Sequence, residues 1–338
     1  MEINLICSAG KSIGIGHLSR MNVVYNGLKK KLNCKINLYI YGDKVNKINN
    51  EELNPNYIDL NHNIITYINN KILKDNCFQV FIFDIKETLL NHTFLEILHL
   101  IQKNNGISIA IDGLISFEKE IDYFFMPTFK EQLIFKNVKA EKISWGWQNF
   151  LINSIFEPID YEKKLNNLLV LTGGSDSTNL GQHFPEFIDK KIEGDKIKIN
   201  WVVGPFSNQP NMNNVSRNNW ELFQSPKSLD TLMVNTKFAI TVFGVSFFEL
   251  LYYGASIVVF SPYGEKDKNE LKEINDSKIA IVASDEKDAV LKMNELINNE
   301  QLSKNLSNNA KNILRERGEE NLCLKIFEIM KKKWQVHI

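Results

Sequence analysis

Short apolar runs alternate along this chain with longer segments in which apolar residues recur every three or four positions. In the first half, the short runs cover 3–7, 36–41, 80–84, 107–112 and 123–126, and the helical pattern covers 17–32, 64–74 and 93–104. Strands that are apolar on both faces must be covered on both faces. The alternation therefore predicts a parallel β-sheet flanked by helices.

A second series of the same kind begins near residue 168. Its predicted strands are 168–172, 197–203, 238–241, 257–260 and 279–282, and long helical segments follow from 286 to 333. Residues 127–167 have mixed character and include Pro158, which is typical of a passage between domains. We therefore predict an α/β protein with two parallel-sheet domains, 1–155 and 166–338, and the last helix is a candidate to return to the first domain.

The length and composition are consistent with two domains, and the net charge predicts no electrostatic attraction to a polyanionic partner. The chain has 338 residues, of which 43% are hydrophobic, enough to bury a large core. Its 40 basic and 40 acidic residues cancel, so no attraction to a nucleic acid polymer or an anionic membrane is expected. The most apolar window, 238–262, is interrupted by Gly244, Glu249 and Gly254, which predicts a strand-helix-strand unit and no integral membrane segment.

The cysteines and the chain start indicate a cytoplasmic protein. Cys7, Cys34, Cys77 and Cys323 form no close pair, which disfavours a disulfide framework or a zinc site. The chain begins directly with a predicted strand, so no signal peptide is visible. No metal site and no cofactor are predicted, and the oligomeric state cannot be read from the sequence.

The loop at 14–20, with the sequence GIGHLSR, joins the first predicted strand to the first predicted helix. Gly14 and Gly16 allow backbone amides to approach a ligand, and a helix start favours an anion. His17 can exchange a proton near neutral pH. The loop matches neither the dinucleotide-binding fingerprint nor a Walker loop, and a structural turn remains an alternative.

Aspartates close two of the predicted strands in the first domain, Asp84 and Asp112. Ligands of open α/β sheets bind outside the carboxyl ends of the strands, so each carboxylate is a candidate substrate contact. Capping of the following helix or turn is the alternative.

Three further turns in the second domain can bind a nucleotide. The turn at Gly173, Gly174 and Ser175 follows a strand and precedes a predicted helix, so its amides are candidates for a phosphate site, and a tight turn without a ligand is the alternative. Gly204 closes the next strand in a way that leaves backbone accessible to a flat base. Ser246 and Glu249 open a predicted helix after Gly244, where a carboxylate can accept the ribose hydroxyls or can partner Ser246 in a capping box.

The ordered set GIGHLSR, LTGGSDSTNLG, WVVGP and GVSFFELLYYG resembles the inverting UDP-sugar hydrolases of pseudaminic acid biosynthesis and the related spore-coat polysaccharide proteins, with MurG-like enzymes as more distant relatives. The resemblance covers nearly the whole chain. It implies two Rossmann-like domains with an interdomain cleft, the GT-B fold.

The resemblance also implies a reaction. Water would displace UDP from a UDP-linked 2,4-diacetamido-2,4,6-trideoxyhexose with inversion and without a metal, and His17 would be the general base. Gly14, Gly16, Arg20, Asp84 and Asp112 would lie on the sugar side. The nucleotide would contact Gly173, Gly174, Ser175, Gly204, Gly244, Ser246 and Glu249.

Several family positions differ in this chain. The family's Arg-x-Asp is replaced by Ile6-Cys7-Ser8, one of its paired aspartates is Gly113, and its Asn-Gln is not recognisable in residues 263–268. Two alternatives therefore stay open beside the hydrolase. One is an inverting glycosyltransferase with a nucleotide-sugar donor, and the other is a non-catalytic nucleotide-sugar binding module.

Overall fold

The computed structural model of the chain describes residues 1–10, 13–43, 54–60, 63–74, 77–90, 94–129, 138–152, 154–192, 197–216 and 219–335. The chain divides into two compact units. Unit 1 comprises Met1–Asn153 and Glu316–Ile338, and unit 2 comprises Ser154–Arg315.

Unit 1 contains a parallel sheet that has seven strands within the described residues. Their sheet order is β3-β2-β1-β4-β5-β6-β7. The strands are β1 Glu2–Ala9, β2 Lys35–Gly42, β3 Asn56–Ile58, β4 Gln79–Asp84, β5 Ile107–Ile111, β6 Tyr123–Met126 and β7 Ile143–Trp145. Every residue of β1 and β4 is buried, as expected for central strands that are covered on both faces.

Helices cover both faces of this sheet. They are α1 Gly16–Lys31, α2 Ile64–Tyr67 with a π-helical continuation Ile68–Ile72, α3 Phe94–Lys103 and α10 Gly318–Trp334. One face packs against α2 and α3 through a core that includes Phe81, Phe83 and Phe94. The helix α1 packs on β1 and on α10.

The final helix, α10, is held to unit 1 along its whole length. Near its start, a Cβ on Gly27 of α1 would lie only 3.1 Å from Glu319, so glycine allows the two helices to pack closely. At its end, the Trp334 indole donates a hydrogen bond to Asn105 O at 2.7 Å and stacks on Phe78, with ring centroids 4.7 Å apart.

Unit 2 contains a second parallel sheet, with six strands in the part of the chain that is described. Their sheet order is β10-β9-β8-β11-β12-β13. The strands are β8 Leu165–Leu171, β9 Lys198–Val203, β10 Trp220–Gln224, β11 Thr236–Val242, β12 Ser256–Phe260 and β13 Ile281–Val282. The helices are α4 Phe184–Lys191, α5 Asp230–Asn235, α6 Val245–Tyr252, α7 Lys268–Asp276, α8 Glu286–Ile297 and α9 Glu300–Ile313.

The prediction of two parallel α/β sheets is confirmed, with three local corrections. Residues 127–167 are not simply a passage between domains, because β7 joins the first sheet and β8 begins at Leu165. The helix predicted over 64–74 is α2 and its π-helical turn, and it ends at Ile72. The short edge strands β3, β7 and β10 were not predicted.

Candidate active site

A charged network occupies the carboxyl edge of the sheet in unit 1. Because β1 lies beside β4 and β4 beside β5, the residues that follow these three strands are neighbours in space. The loop after β1 leads into α1, which carries His17 and Arg20, while Asp84 ends β4 and Asp112 follows β5. The structure thus brings together His17, which the resemblance makes the general base, with three of the residues that it assigns to the sugar side, Arg20, Asp84 and Asp112.

The geometry of this network fixes the tautomer of His17. Its Nδ1 atom lies 2.6 Å from Asp84 Oδ1. An ionised carboxylate only accepts hydrogen bonds, so Nδ1 must carry the hydrogen and the neutral ring keeps its lone pair on Nε2. Arg20 Nη2 lies 3.0 Å from the same Nδ1. Both groups point their hydrogens at Asp84, so they are neighbours around one acceptor.

Arg20 connects the two aspartates. It donates to Asp84 from Nε to Oδ2 at 2.8 Å and from Nη2 to Oδ1 at 2.8 Å, which is a bidentate pair. Its Nη1 atom lies 2.7 Å from Asp112 Oδ2. No described backbone N–H donates to either carboxylate, so these aspartates act as ion-pair partners and not as caps.

Burial and charge oppose each other in this network. Charge prevails at Asp84 and Arg20, whereas at Asp112 burial prevails and raises the pKa above its ordinary value. Burial alone would raise the pKa of Asp84, whose side chain is 1% exposed, but Arg20 and His17 hold that pKa below its ordinary value. Burial alone would lower the pKa of Arg20, but Asp112 and Asp84 raise it. The His17 side chain is 22% exposed, so its ring contacts solvent while Asp84 holds its orientation.

The loop before α1 is closed by a pair of backbone hydrogen bonds. Gly10 N donates to Gly14 O at 3.1 Å, and Gly14 N donates to Gly10 O at 2.7 Å. Gly14 has a φ of +89°, which a residue with a Cβ rarely adopts, although no atom lies within 4 Å of where that Cβ would be. Gly16 is the first residue of α1. The glycines therefore shape the entry to the helix that carries His17.

In unit 2, the turn after β8 leaves backbone amides unbonded. The amides of Gly173, Gly174 and Ser175 donate no hydrogen bond to any residue that the structure describes. Gly173 has a φ of +89° and is exposed. The predicted helix does not follow directly, since α4 begins only at Phe184. A loop, and not a helix terminus, therefore presents these amides.

The sequence analysis missed the residue that organises this loop. Asp176 is buried, and its carboxylate accepts hydrogen bonds from Leu180 N at 2.9 Å and Gly181 N at 2.8 Å. A general signal was present, because aspartate in a turn-rich segment often accepts hydrogen bonds from nearby backbone amides. The interactions fix the end of the loop and leave its glycines at the sheet edge.

Gly204 is required for close approach of backbone. A Cβ at this position would lie 2.5 Å from Gly174 O and 2.6 Å from Gly173 O. The amide of Phe206 donates to Gly174 O at 2.9 Å. The carbonyls of the glycine turn thus face the loop after β9. Gly204 itself is buried under them, so its role here is to let the two loops meet.

The start of α6 presents a buried carboxylate that has no described partner. Gly244 precedes the helix in an extended conformation, and no side chain caps it. Ser246 lies in the first turn and Glu249 one turn further. Glu249 is 8% exposed, yet its carboxylate makes no hydrogen bond or ion pair within the described part of the chain. The capping box with Ser246 is therefore not formed.

The surroundings of Glu249 favour its neutral form. Burial, and secondarily the charge of Asp230, raise its pKa to about 8. Asp230 at the start of α5 is itself well bonded, for example by Ile155 N at 3.1 Å and by the Tyr253 hydroxyl. A ligand that donates hydrogen bonds to Glu249 would stabilise the ionised carboxylate.

The described residues contain neither a metal-binding cluster nor a membrane-spanning helix. No group of three or more His, Cys, Asp or Glu side chains is arranged to hold a metal ion. No helix combines the length and apolar character that a membrane crossing needs.

No protein-family model and no curated protein sequence match this chain. Solved structures match it over nearly its whole length. UDP-GlcNAc 2-epimerase from Neisseria meningitidis, bound to UDP-GlcNAc, is similar with a TM-score of 0.60 and 12% identity over 97% of this chain and 100% of that one. MurG from Acinetobacter baumannii gives 0.62 and 11% over 97% and 100%. The calicheamicin glycosyltransferase CalG4 gives 0.63 and 9% over 98% of each chain.

The chain has the GT-B fold. The neighbours belong to the superfamily of GT-B glycosyltransferases, UDP-GlcNAc 2-epimerases and MurG, which confirms the predicted fold. The identities are low, so the likeness establishes the GT-B architecture, and the chemistry has to be argued from the residues described above.

Proposed function

We propose that this protein is a metal-independent, inverting nucleotide-sugar hydrolase that releases UDP and a free 2,4-diacetamido-2,4,6-trideoxyhexose for nonulosonic acid synthesis. The observation that carries the proposal is the 2.6 Å contact between His17 Nδ1 and Asp84 Oδ1, which directs the Nε2 lone pair away from the carboxylate. A histidine held in this way is suited to remove a proton from water.

In the proposed reaction, a water oxygen attacks the anomeric carbon on the face opposite the nucleotide. His17 Nε2 takes one proton from the water as the new C–O bond forms. The bond between the anomeric carbon and the diphosphate oxygen breaks, and its electron pair leaves with UDP. Asp84 stabilises the imidazolium that forms, and Arg20 keeps Asp84 ionised.

The candidate nucleotide-binding residues lie in unit 2. We assign the diphosphate to the unbonded amides of Gly173, Gly174 and Ser175 and to the first turn of α6, with Gly244 and Ser246. Preorganised amides that meet developing negative charge lower the barrier of such a reaction. Glu249 accepts the ribose hydroxyls, which supplies the partner that its carboxylate lacks. The base lies at the strand end near Gly204.

We assign the sugar contacts to the carboxyl edge of the sheet in unit 1. Asp112 is 38% exposed and paired with Arg20 on one side only, which leaves its second oxygen for a sugar hydroxyl or amide. Gly14 and Gly16 shape the loop that carries His17. The sugar identity rests on the resemblance of the ordered motifs.

The test is to incubate the purified protein with UDP-linked deoxy-diamino sugars in the presence of EDTA and to follow UDP release. Proton NMR of the first-formed sugar reports whether the anomeric configuration inverts. Turnover with inversion and without an added acceptor supports the hydrolase. Tight UDP-sugar binding without turnover on any of these sugars would instead indicate a binding module.

A glycosyltransferase is the second candidate, because the structures that match this chain include glycosyltransferases at comparable TM-scores. In that case His17 Nε2 deprotonates an acceptor hydroxyl in place of water. UDP release that depends on an added acceptor, with negligible hydrolysis, would decide for transfer.

A further inference from the structure

A tyrosine side chain crosses the carboxyl edge of the sheet in unit 2. Tyr263 follows β12, and its hydroxyl oxygen lies 3.0 Å from the hydroxyl of Ser177, which belongs to the loop after β8. The strand β11 lies between β8 and β12 in the sheet. The hydrogen bond between Tyr263 and Ser177 therefore connects the loops on either side of the strand that leads into α6.

The loop that carries Tyr263 is fixed by its own hydrogen bonds. Ser261 Oγ accepts a hydrogen bond from Tyr263 N at 3.0 Å and donates one to Asp267 Oδ2 at 2.5 Å. Gly264, with a φ of +62°, turns the chain into a short helical turn. The Tyr263 side chain is nevertheless 54% exposed. It is thus held at both ends and still open to a ligand.

A lysine without a carboxylate partner lies beside this ring. Lys266 Nζ is 5.0 Å from the centroid of the Tyr263 ring, within the range of a cation–π contact. The nearby Lys268 pairs with Glu265, with Nζ 2.6 Å from Oε2. Lys266 has no such ion pair among the described residues. The charge of Lys266 is therefore available to an anion at this edge.

The same edge of the sheet carries hydrogen-bond donors and a buried carboxylate that could bind the anionic and hydroxyl groups of a ligand. Among the described residues, the amides of Gly173, Gly174 and Ser175 donate no hydrogen bond, and the nine-tenths buried Glu249 has no partner. A helix start supplies only about half a positive charge, which is less than a departing diphosphate needs. A full positive charge at the same sheet edge would supply the rest.

We propose that Ser177, Tyr263 and Lys266 form a diphosphate clamp. A nucleoside diphosphate replaces the hydrogen bond between Ser177 and Tyr263, both hydroxyls then donate to phosphate oxygens, and Lys266 neutralises the charge on the leaving group. This inference rests on the proposed function, and it names the residues that give the site its preference for a diphosphate over a monophosphate.

The experiment measures binding of UDP, UMP and uridine to the full-length protein by calorimetry. Lys266→Gln is expected to weaken UDP binding about tenfold, as for loss of one charge-assisted contact, and to leave uridine binding unchanged. Tyr263→Phe keeps the ring beside Lys266 and is expected to weaken UDP binding about threefold, as for one neutral hydrogen bond. Lys268→Gln is the matched control and should bind UDP as the wild type does.

Two results would overturn the clamp while leaving the proposed function intact. In one, the wild type binds UDP tightly and both Lys266→Gln and Tyr263→Phe bind it equally well. In the other, Lys266→Gln weakens the binding of uridine and of UDP to the same extent, so the lysine does not contact the phosphates. If the wild type binds none of UDP, ADP, GDP and dTDP, the proposed function fails and the clamp fails with it.

Discussion

The carboxyl edges of the two parallel sheets have the same architecture, but their polar groups differ in whether they are paired. At the edge in unit 1, Arg20, Asp84 and His17 neutralise and orient one another, and Asp84 is completely enclosed. At the edge in unit 2, three amides are unbonded and Glu249 is buried without a described partner. The charged groups at the first edge pair with one another, whereas the second edge keeps donors and an acceptor that have no partner among the described residues.

This difference predicts how each edge responds to substitution. Removing a buried charged member of a satisfied network leaves another charge unpaired, so it should cost stability as well as activity. Removing a group whose proposed partner is a ligand should lower the affinity for that ligand and leave the stability of the folded protein unchanged. The following substitutions test that contrast, beginning with the largest expected effect.

His17→Ala should lower turnover about a thousandfold, because no other group would take the proton from water. The measurement is kcat for UDP release from the UDP-sugar that the wild type hydrolyses. Thermal unfolding should change little, since His17 is partly exposed and Arg20 still pairs with Asp84. Turnover close to that of the wild type would remove His17 as the base.

Asp84→Asn should destabilise the protein by about 3 kcal/mol, because it leaves the buried Arg20 with Asp112 as its one carboxylate partner among the described residues. Turnover should also fall, since an amide no longer selects the His17 tautomer. Asp112→Asn is the matched control. Its side chain is partly exposed and makes one ion pair, so it should cost less than about 1 kcal/mol in urea unfolding.

Gly204→Ala should destabilise unit 2 by about 2 kcal/mol, because the new methyl group would overlap the carbonyls of the glycine turn. Gly244→Ala is the control for stability. Its φ is extended and no atom lies within 4 Å of the added carbon. Equal melting temperatures for the two variants would contradict the close approach of the loops after β8 and β9.

Glu249→Gln should weaken UDP binding about tenfold, as expected for loss of a charged acceptor. It should also change the pH dependence of folding. The folded pKa of Glu249, about 8, lies above the ordinary value of 4.5, so the folded protein holds this proton more tightly. Wild-type stability should therefore fall as pH rises from about 4.5 to about 8, and this fall should be smaller in Glu249→Gln.

That titration is measured by urea unfolding at several pH values between 4 and 9, with the wild type and the variant side by side. An identical slope in both proteins would mean that folding does not raise the pKa of Glu249.

The sequence predicted the central strands well because their apolar runs are long and uninterrupted. It did not predict β3, β7 or β10, which lie at sheet edges. The residues of β10 are mostly exposed or half-buried, so their sequence lacks the apolar run of a central strand. These strands form because a neighbouring strand offers hydrogen bonds, and that information is not local.

In the candidate site, too, most features with a local sequence signal were predicted, and features that depend on distant residues were not. His17, Asp84 and Asp112 were named from strand ends and motif order, but their convergence on Arg20 depends on the order of strands in the sheet. Asp176 carried a local capping signal that was not used. Residues 263–268 were noted only for the missing family Asn-Gln. Nothing in the sequence singled out Tyr263 and Lys266, since their relevance depends on the contact of Tyr263 with Ser177, 86 residues away in the chain.

The return of α10 to unit 1 affects how the chain is made. Residues 1–153 leave the ribosome long before the helix that covers α1 has been translated, and all of unit 2 is synthesised in between. During that interval, α1 lacks the helix that packs against Gly27, and the ring of Phe78 lacks its stacking contact with Trp334. The packing of the first unit therefore depends on a segment that is translated after the whole of unit 2.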